Sequence, residues 1–259
     1  MFKLQEQHLK NKIVWPCNYL AFPIVLLKNN QMKQFYFLLL LPLLLFNSSC
    51  TMIIKGLGKS VAKHYDDHKD LNLSKLSLLD GAGHQEAFET SFSGKTVYLY
   101  VWSLDLPPDD RNTDYKELKQ RFQKYNDVVF INVYTGTDEN KWKKVQDLKN
   151  EQVKAYRLTA APENDAFRSL ADSVTRPQII GKDGALLGFR GPTPADHLVV
   201  DYALYQARNG IDATQSTKTL IRGINSKVKF KNQDLLLWYE DHFGKKPGEK
   251  LSISISNNN

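Results

Sequence analysis

Two apolar runs dominate the hydrophobic pattern of this chain, one ending at Trp102 and the other spanning Val128–Tyr134. Such runs without polar alternation are typical of strands buried on both faces of a sheet. Between them, apolar residues from Tyr115 to Tyr125 recur at helical spacing, which predicts an amphipathic helix over 107–125. This alternation of strand and helix predicts an α/β protein.

The pattern extends on both sides of these elements. Before the first run it predicts a strand at 73–79, a turn at Asp80–Gly83 and a second strand reaching Ser93. After the second run it predicts a helix at 139–148, a short strand at 153–158, a helix at 167–174 and a closing helix at 194–208.

The last 49 residues form a separate extension, which we expect to pack on the core. Val228–Lys231 and Leu251–Ile255 alternate between apolar and polar residues and predict half-buried edge strands. Between them, Asn232 is a suitable cap for a helix that ends at Gly244.

Residues 32–50 follow another order: Lys33, a 12-residue apolar run from Phe35 to Phe46, small polar residues and Cys50. The run is shorter than the ~20 residues that span a bilayer, but it has the size of a signal-peptide core. Because small residues immediately precede the cysteine, this order predicts a bacterial lipoprotein acylated at Cys50. An uncleaved anchor and a signal cut near Ser49 are the alternatives.

The first 31 residues fit poorly before such a signal, which favours a translation start at Met32 over a two-segment membrane anchor. The predicted organisation is a signal region at 1–49, the lipidated cysteine and a polar tether at 50–72, a globular domain at 73–209 and the extension at 210–259.

Net charge and cysteine content reduce the number of functions that this chain could have. The net charge is +7, and five lysines against one glutamate in residues 1–49 supply +4 of it, which leaves +3 for the rest. This charge is too mild to predict a nucleic-acid partner. The only cysteines are Cys17 and Cys50, so the globular part carries no thiol.

A motif surrounds the first apolar run, which starts after Gly94-Lys95 and ends at Trp102. This stretch resembles thioredoxin-like proteins of the TlpA/ResA kind, of the AhpC/TSA type, which carry GKxVxxxxWAxWCxPC at this point. The resemblance covers roughly 73–209. It implies a thioredoxin-like fold, with a central mixed sheet flanked by helices, an N-terminal hairpin and the C-terminal extension.

The resemblance also aligns the active site of that family with this chain. Setting Trp102 on the family's first tryptophan places Leu106 and Asp109 on the two cysteines and Pro108 on the proline. The residues that surround the active site in that family are therefore present in this chain, but both cysteines of the dithiol are absent. Asp109 is interpreted as an acid in the first turn of the helix rather than as a weak nucleophile.

A second family feature falls on Thr175–Gly184, which resembles the cis-proline strand and its hairpin turn, with 185–190 completing the hairpin. The resemblance implies a cis bond before Pro177 and places Arg176-Pro177 beside the Leu106–Asp109 segment. A groove with free backbone groups would lie there.

Two histidines, His64 and His68, stand four residues apart and would lie on one face of a helix, with Asp70 as a third ligand. This spacing suits Zn²⁺ or Cu²⁺. The alternative, a polar tether with solvated histidines, is favoured. No cofactor motif is found, and no Ser or Cys nucleophile pairs with a histidine in sequence.

Two functions are consistent with these features. The first is a lipid-anchored module of the bacterial cell envelope that binds a protein or peptide partner without redox chemistry. Its binding surface would be the former active site, formed by Trp102, Leu106, Pro107, Pro108, Asp109, Arg176 and Pro177. The second is a thiol-disulfide oxidoreductase or peroxidase-like protein whose thiols come from a partner.

Overall fold

A mixed sheet with helices on both faces forms the centre of the protein. The computed structural model describes Tyr65 and residues 67–103, 112–146, 154–171 and 176–255. Within these ranges the strands are β1 (Ser77–Leu79), β2 (Gln85–Ala87), β3 (Thr96–Trp102), β4 (Val128–Tyr134), β5 (Lys154–Leu158), β6 (Pro177–Ile180) and β7 (Leu186–Gly188). The helices are α1 (Phe88–Phe92), α2 (Thr113–Phe122), α3 (Glu139–Gln146), α4 (Asp165–Ala171), α5 (Val199–Ala207), α6 (Ala213–Arg222) and α7 (Gln233–Phe243).

The described strands are ordered β2-β1-β5-β4-β3-β6-β7 in one sheet. β3, β4 and β5 are parallel, whereas β6 pairs with β3 in the antiparallel direction and β7 with β6. Two parallel strands joined through a helix, followed by a hairpin and a closing helix, are the thioredoxin order. The expected thioredoxin-like α/β fold is therefore confirmed.

The two faces of the sheet carry different helices because successive side chains of a strand point to opposite sides. Tyr98 and Tyr100 of β3 pack with α2 and α5. Val97, Leu99 and Val101 pack on the other face with residues of α1 and α4. All seven residues of β3 are buried, as the uninterrupted apolar run predicts.

The helix after β3 starts later than predicted. α2 begins at Thr113, and the Oδ1 of Asn112 caps it by accepting a hydrogen bond from the backbone N–H of Tyr115 at 3.0 Å. The predicted start at Pro107 is therefore wrong. Asn112 has extended backbone angles, as an N-cap residue does, so the helix cannot continue through it toward the prolines.

The first hairpin is also shorter than predicted. β2 ends at Ala87 and the chain turns into α1, rather than remaining extended to Ser93. The N–H groups of Phe88 and Glu89 donate to the carbonyls of Leu76 and Ser74, which turns the chain back over β1. The closing helix begins at Val199 instead of 194 because Leu198 has a positive φ of 68°.

Three outcomes concern the extension, which packs on the core as expected. α7 is confirmed: the Asn232 side chain caps it, and Gly244 ends it in the left-handed conformation. The predicted strands at 228–231 and 251–255 are wrong, since an isolated bridge between Ile224 and Phe230 replaces the first and no ladder forms in the second. α6 was not predicted. The apolar cluster that joins α5, α6 and α7 contains Leu198, Tyr202, Leu220, Leu235, Trp238 and Leu251.

Candidate functional site

The predicted site lies at the edge of the sheet where β3 ends and β6 begins. Tyr100 of β3 pairs with Pro177 of β6, so the chain leaves Trp102 beside the point where Arg176 enters the sheet. Ligands of open α/β sheets bind at the carboxyl ends of parallel strands, which is this edge. Leu106, Pro107, Pro108 and Asp109 come after Trp102 in sequence but lie outside the described residues.

Trp102 supports this edge from inside the protein. Its side chain is 1% exposed and stacks on Tyr134 with ring centroids 4.2 Å apart. Tyr134 is parallel to Trp142 at 6.3 Å, and its hydroxyl donates to the carbonyl of Asp138. The three rings form a separate aromatic layer, so Trp102 offers a partner no exposed ring.

The first turn of α2 differs from the expectation for Asp109, which lies outside the described residues. Because α2 is capped at Asn112, the acid in its first turn is Asp114, and Asp109 precedes the helix. The Oδ1 of Asp114 lies 3.0 Å from the Nε2 of His197, which is hydrogen-bond distance. The interpretation of Asp109 as the N-terminal helix acid is therefore wrong.

Arg176 is the charged residue that the structure places at this edge. It is half-buried, and its Nη1 has no hydrogen-bond partner among the described residues. Burial lowers the pKa of the guanidinium, and the negative charge of Asp196 opposes that effect. A buried donor without an acceptor is costly, so a movement of this side chain that brought the donor to an acceptor would be favourable.

Pro177 does not offer the free backbone groups that were expected. The Arg176–Pro177 bond is trans, since no bond of the described backbone is cis, and the implied cis bond is wrong; trans is the ordinary state of an X–Pro bond. Proline has no N–H, and the carbonyl of Pro177 already accepts from Gly191 at 2.7 Å. Strand addition at this residue therefore has no free partner.

A layer of buried polar groups lies next to Arg176, and sequence reasoning missed it. The Tyr98 hydroxyl donates to the carbonyl of Pro192 at 2.8 Å, and Asp196 accepts from the N–H and hydroxyl of Thr193. Burial raises the pKa of Tyr100, and the charge of Asp196 raises it further. These phenols therefore stay protonated and cannot serve as bases at neutral pH.

Two of the three predicted metal ligands, His68 and Asp70, lie within the described residues. His68 has a positive φ of 61° and packs edge-on against Phe189, with ring centroids 4.7 Å apart, whereas His64 falls outside the described ranges. Positive φ is not helical, so the two histidines do not share a helix face through His68. Within the described ranges, no three His, Cys, Asp or Glu residues form a cluster that could hold a metal ion.

Another cluster of charges is buried between α2, α5 and α7. Asp201 is 1% exposed and accepts hydrogen bonds from Arg121 at 2.6 and 3.1 Å. The Nε2 of His242 lies 2.9 Å from the same carboxylate, and its Nδ1 lies 3.1 Å from the Tyr125 hydroxyl. Burial alone would raise the pKa of Asp201, but hydrogen bonds from His242 and Arg121 outweigh it and hold the pKa below its ordinary value.

Comparison with known proteins supplies no family. No family model matches the chain, and no curated protein matches it. Solved structures match part of it. A candidate thiol-disulfide oxidoreductase from Bacteroides vulgatus is 21% identical, with 50% of this chain and 92% of that chain covered and a TM-score of 0.38.

Two further structures give similar values. A candidate electron transport protein from Aquifex aeolicus VF5 is 11% identical, with 54% and 97% covered and a TM-score of 0.40. A secreted disulfide oxidoreductase from Mycobacterium tuberculosis is 17% identical, with 46% and 85% covered and a TM-score of 0.34. Because all three TM-scores are below 0.5, the fold assignment rests on strand order and register. None of the helices in the described ranges has the length and apolar character needed to cross a bilayer.

Proposed function

We propose that this protein is a lipid-anchored thioredoxin-like module of the bacterial cell envelope that binds a polypeptide partner and performs no thiol chemistry. The observation that carries the proposal is the absence of cysteine after residue 50. Disulfide exchange begins with attack by a thiolate. Leu106 and Asp109, at the positions where the resemblance places the two cysteines, supply none.

Arg176 supports the binding half of the proposal. Its guanidinium stands at the edge where β3 ends and has an Nη1 without an acceptor among the described residues. After a movement of this half-buried side chain, a backbone carbonyl or a carboxylate of a bound chain would supply that acceptor. Leu106, Pro107 and Pro108 would form an apolar, proline-stiffened rim, which lowers the ordering cost of binding.

The binding test compares capture of envelope proteins by the tagged full chain and three variants. We expect Leu106→Lys to reduce the amount of captured partner about tenfold or more, because a charge replaces apolar contact. Arg176→Gln should reduce the amount of captured partner about tenfold. A tenfold loss corresponds to about 1.4 kcal/mol, which is the size of one charge-assisted hydrogen bond. Quantitative mass spectrometry of the bound fraction is the measurement.

Lys154→Gln is the matched control, since it removes one cation from the opposite end of the parallel strands, where β5 begins. It should leave capture unchanged. Leu106→Lys and Lys154→Gln should keep the thermal midpoint of the wild type, as exposed substitutions cost within about 0.5 kcal/mol. Arg176 is half-buried, so capture by Arg176→Gln is compared at a temperature where its own melting curve shows it fully folded. Undiminished capture by a folded Leu106→Lys variant would contradict this surface. Unfolding of that variant would instead show that Leu106 belongs to the core.

The redox alternative is tested by insulin reduction with the full chain carrying Cys17→Ser and Cys50→Ser. We expect the rate of the buffer alone, because no attacking thiolate is present. The pair Leu106→Cys and Asp109→Cys restores a dithiol at the aligned positions and is expected to raise that rate. Turnover by the cysteine-free chain would falsify the non-redox assignment.

A further inference from the structure

A loop that follows α6 concentrates the positive charge of the extension. Residues 51–209 contain 22 basic and 22 acidic residues, so the excess positive charge after residue 50 belongs to the extension. Within the extension, residues 213–233 contain five basic residues and no acidic residue. The loop spans Gly223–Lys231 and is called the basic loop. Four of the five cations are exposed in it or next to it: Arg222, Lys227, Lys229 and Lys231.

Hydrogen bonds fix the shape of the basic loop. The N–H of Lys231 donates to the carbonyl of Gly223 at 2.7 Å, and the N–H of Asn225 donates to the carbonyl of Lys229 at 2.9 Å. The Oδ1 of Asn225 accepts from the N–H groups of Lys227 and Lys229 at 2.9 and 3.1 Å. Because the backbone is already ordered, the lysines lose less freedom when they meet a partner.

The apolar residues of the loop pack on the protein between its lysines. Val228 and Phe230 are partly buried against the cluster that joins α5, α6 and α7. The carbonyl of Val228 also accepts from the N–H of Leu251 at 3.0 Å. The lysines at the alternate positions 227, 229 and 231 are exposed. The loop is therefore attached to the extension by its apolar side chains, while its ammonium groups are in solvent.

The charges of this loop are not neutralised within the described residues. No carboxylate there pairs with Arg222, Lys227, Lys229 or Lys231. The Nζ of Lys231 donates to the carbonyl of Arg222 at 2.6 Å, which is a neutral acceptor and leaves the charge in place. Four cations held close together without counter-charges attract a surface that carries many anions.

The predicted anchor allows the basic loop to reach such a surface. Fourteen residues, 51–64, separate Cys50 from Tyr65, and a chain of that length spans at most about 50 Å. Tyr65 is buried in the same cluster as Ala213, where α6 begins. α6 is about 15 Å long, and the basic loop begins at its other end. The loop is therefore within reach of the bilayer that would hold Cys50.

We propose that the basic loop binds the anionic phospholipid headgroups of the membrane to which Cys50 is attached, and so orients the domain on the bilayer. This inference rests on the lipid anchor of the proposed function. Attraction to an anionic leaflet grows with the number of lysines and arginines near it and falls off within a Debye length. An anchor that keeps the loop near the headgroups makes its four charges effective.

The test places the full chain, purified with its own anchor, in vesicles of phosphatidylcholine alone or with about 30% phosphatidylglycerol. An acetylating reagent is added, and mass spectrometry gives the acetylation rate of each lysine. We expect the rates of Lys227 and Lys229 to be at least about fivefold lower on the anionic vesicles, because the headgroups cover them. Salt raised from about 20 to about 300 mM should restore both rates. Lys116 and Lys154, exposed on other elements, should keep their rates on both vesicles.

A pair of double variants tests the charges themselves through the protection of Lys231. Lys227→Gln with Lys229→Gln should reduce that protection from at least about fivefold to below about twofold. Lys116→Gln with Lys154→Gln is the matched control, because it removes the same charge from exposed positions outside the extension. It should leave the protection unchanged. Thermal midpoints check that both variants are folded, and the footprint of the wild type needs no variant.

Sedimentation with the neutral vesicles separates a failure of the anchor from a failure of the loop. A chain that stays in solution would contradict the anchor, and its footprint with and without anionic vesicles would still test the loop. Equal acetylation of Lys227 and Lys229 on both vesicles would overturn the proposal, as would protection that salt does not reduce or equal effects of the two double variants. Protection by heparin at about 150 mM salt that anionic vesicles do not give would assign the loop to a soluble polyanion and reject a membrane.

Discussion

At the residue scale, Asp201 is a buried carboxylate that holds partners from two other elements. Its cationic or proton-donating neighbours are Arg121 from α2 and His242 from α7. Removing one partner of a buried ion pair leaves the other charge uncompensated, which costs more than the pair contributes. Asp201 therefore links the helices α2, α5 and α7 through polar contacts, in addition to their apolar packing.

Replacing this carboxylate gives a stability prediction with a defined pH dependence. Asp201→Asn should lower the free energy of unfolding by about 3 kcal/mol at neutral pH, because the partly buried Arg121 loses its counter-charge and only one of the two accepting oxygens remains. Since the folded-state pKa of Asp201 lies below its unfolded value of about 3.9, its contribution is complete above that value and is lost as the pH falls through the folded pKa.

Urea unfolding of wild type and variant between about pH 3 and pH 7 measures this dependence. The difference between the two proteins should be constant above about pH 5 and shrink below about pH 4. Glu163→Gln, at an exposed acid of the 3₁₀ helix Pro162–Asn164 that precedes α4, is the control and should stay within about 0.5 kcal/mol of wild type. A difference that does not change with pH would contradict the role of the ionised carboxylate.

At the scale of elements, the contact between α6 and α7 depends on a glycine. Gly223 ends α6 with ordinary helical angles, so its backbone does not require glycine. The space around it does, because a Cβ added there would lie 2.1 Å from Cδ1 of Leu235. Leu235 is 2% exposed in the cluster that joins the extension to α5, so it has little room to move.

Filling this space is expected to destabilise the extension. Gly223→Ala should lower the free energy of unfolding by about 1–3 kcal/mol, as overpacking of a core does. Gly248→Ala is the control, since its Cβ would meet its nearest atom at an ordinary 3.7 Å. Combined with Leu235→Ala, Gly223→Ala should cost less than alone, because the clash is gone. Strictly additive losses would mean that the glycine serves another purpose.

At the scale of the whole molecule, the proposed function requires the globular part to be held at a membrane. The segment that would do so, residues 32–50, lies outside the described ranges, and its lipoprotein assignment comes from the order of charged, apolar and small residues. The two cysteines allow a direct test, because one of them precedes the predicted signal and the other ends it.

Metabolic labelling with an alkyne fatty acid provides that test. Cys50→Ser should lose the label, because this residue is the predicted site of acylation, and Cys17→Ser should keep it. The mature mass should be the same whether translation starts at Met1 or Met32. Equal labelling of wild type and Cys50→Ser would contradict the anchor, and a longer product would show that residues 1–31 are retained.

Only part of the candidate site could be predicted from the sequence. Arg176 and Pro177 were identified through a family resemblance, and the pairing of Pro177 with Tyr100 places them beside the end of β3. The trans bond and the occupied carbonyl of Pro177 could not be predicted, because both depend on contacts with Gly191 and the rest of the hairpin. The absence of a partner for the Nη1 of Arg176 could not be predicted either, because it depends on which side chains bury this atom in the fold.

The predicted strands of the extension failed for a related reason. Alternating apolar residues at 228–231 and 251–255 satisfy a strand pattern, but here they fill gaps around α5 and α7. Their backbone bonds are single contacts, such as the N–H of Leu251 with the carbonyl of Val228, and not a ladder. α6 escaped prediction because Thr214, Ser216 and Thr217 on its buried side are polar.

By itself, the sequence determined the elements whose causes are local. β4 arises from its apolar run, and α7 from an Asn232 cap that acts three residues away and a Gly244 that tolerates positive φ. Tertiary structure decided what depends on distant residues, such as the meeting of Asp201 with His242, 41 positions apart. A cap needs only its neighbours, whereas a buried charge needs a partner that the fold alone brings near.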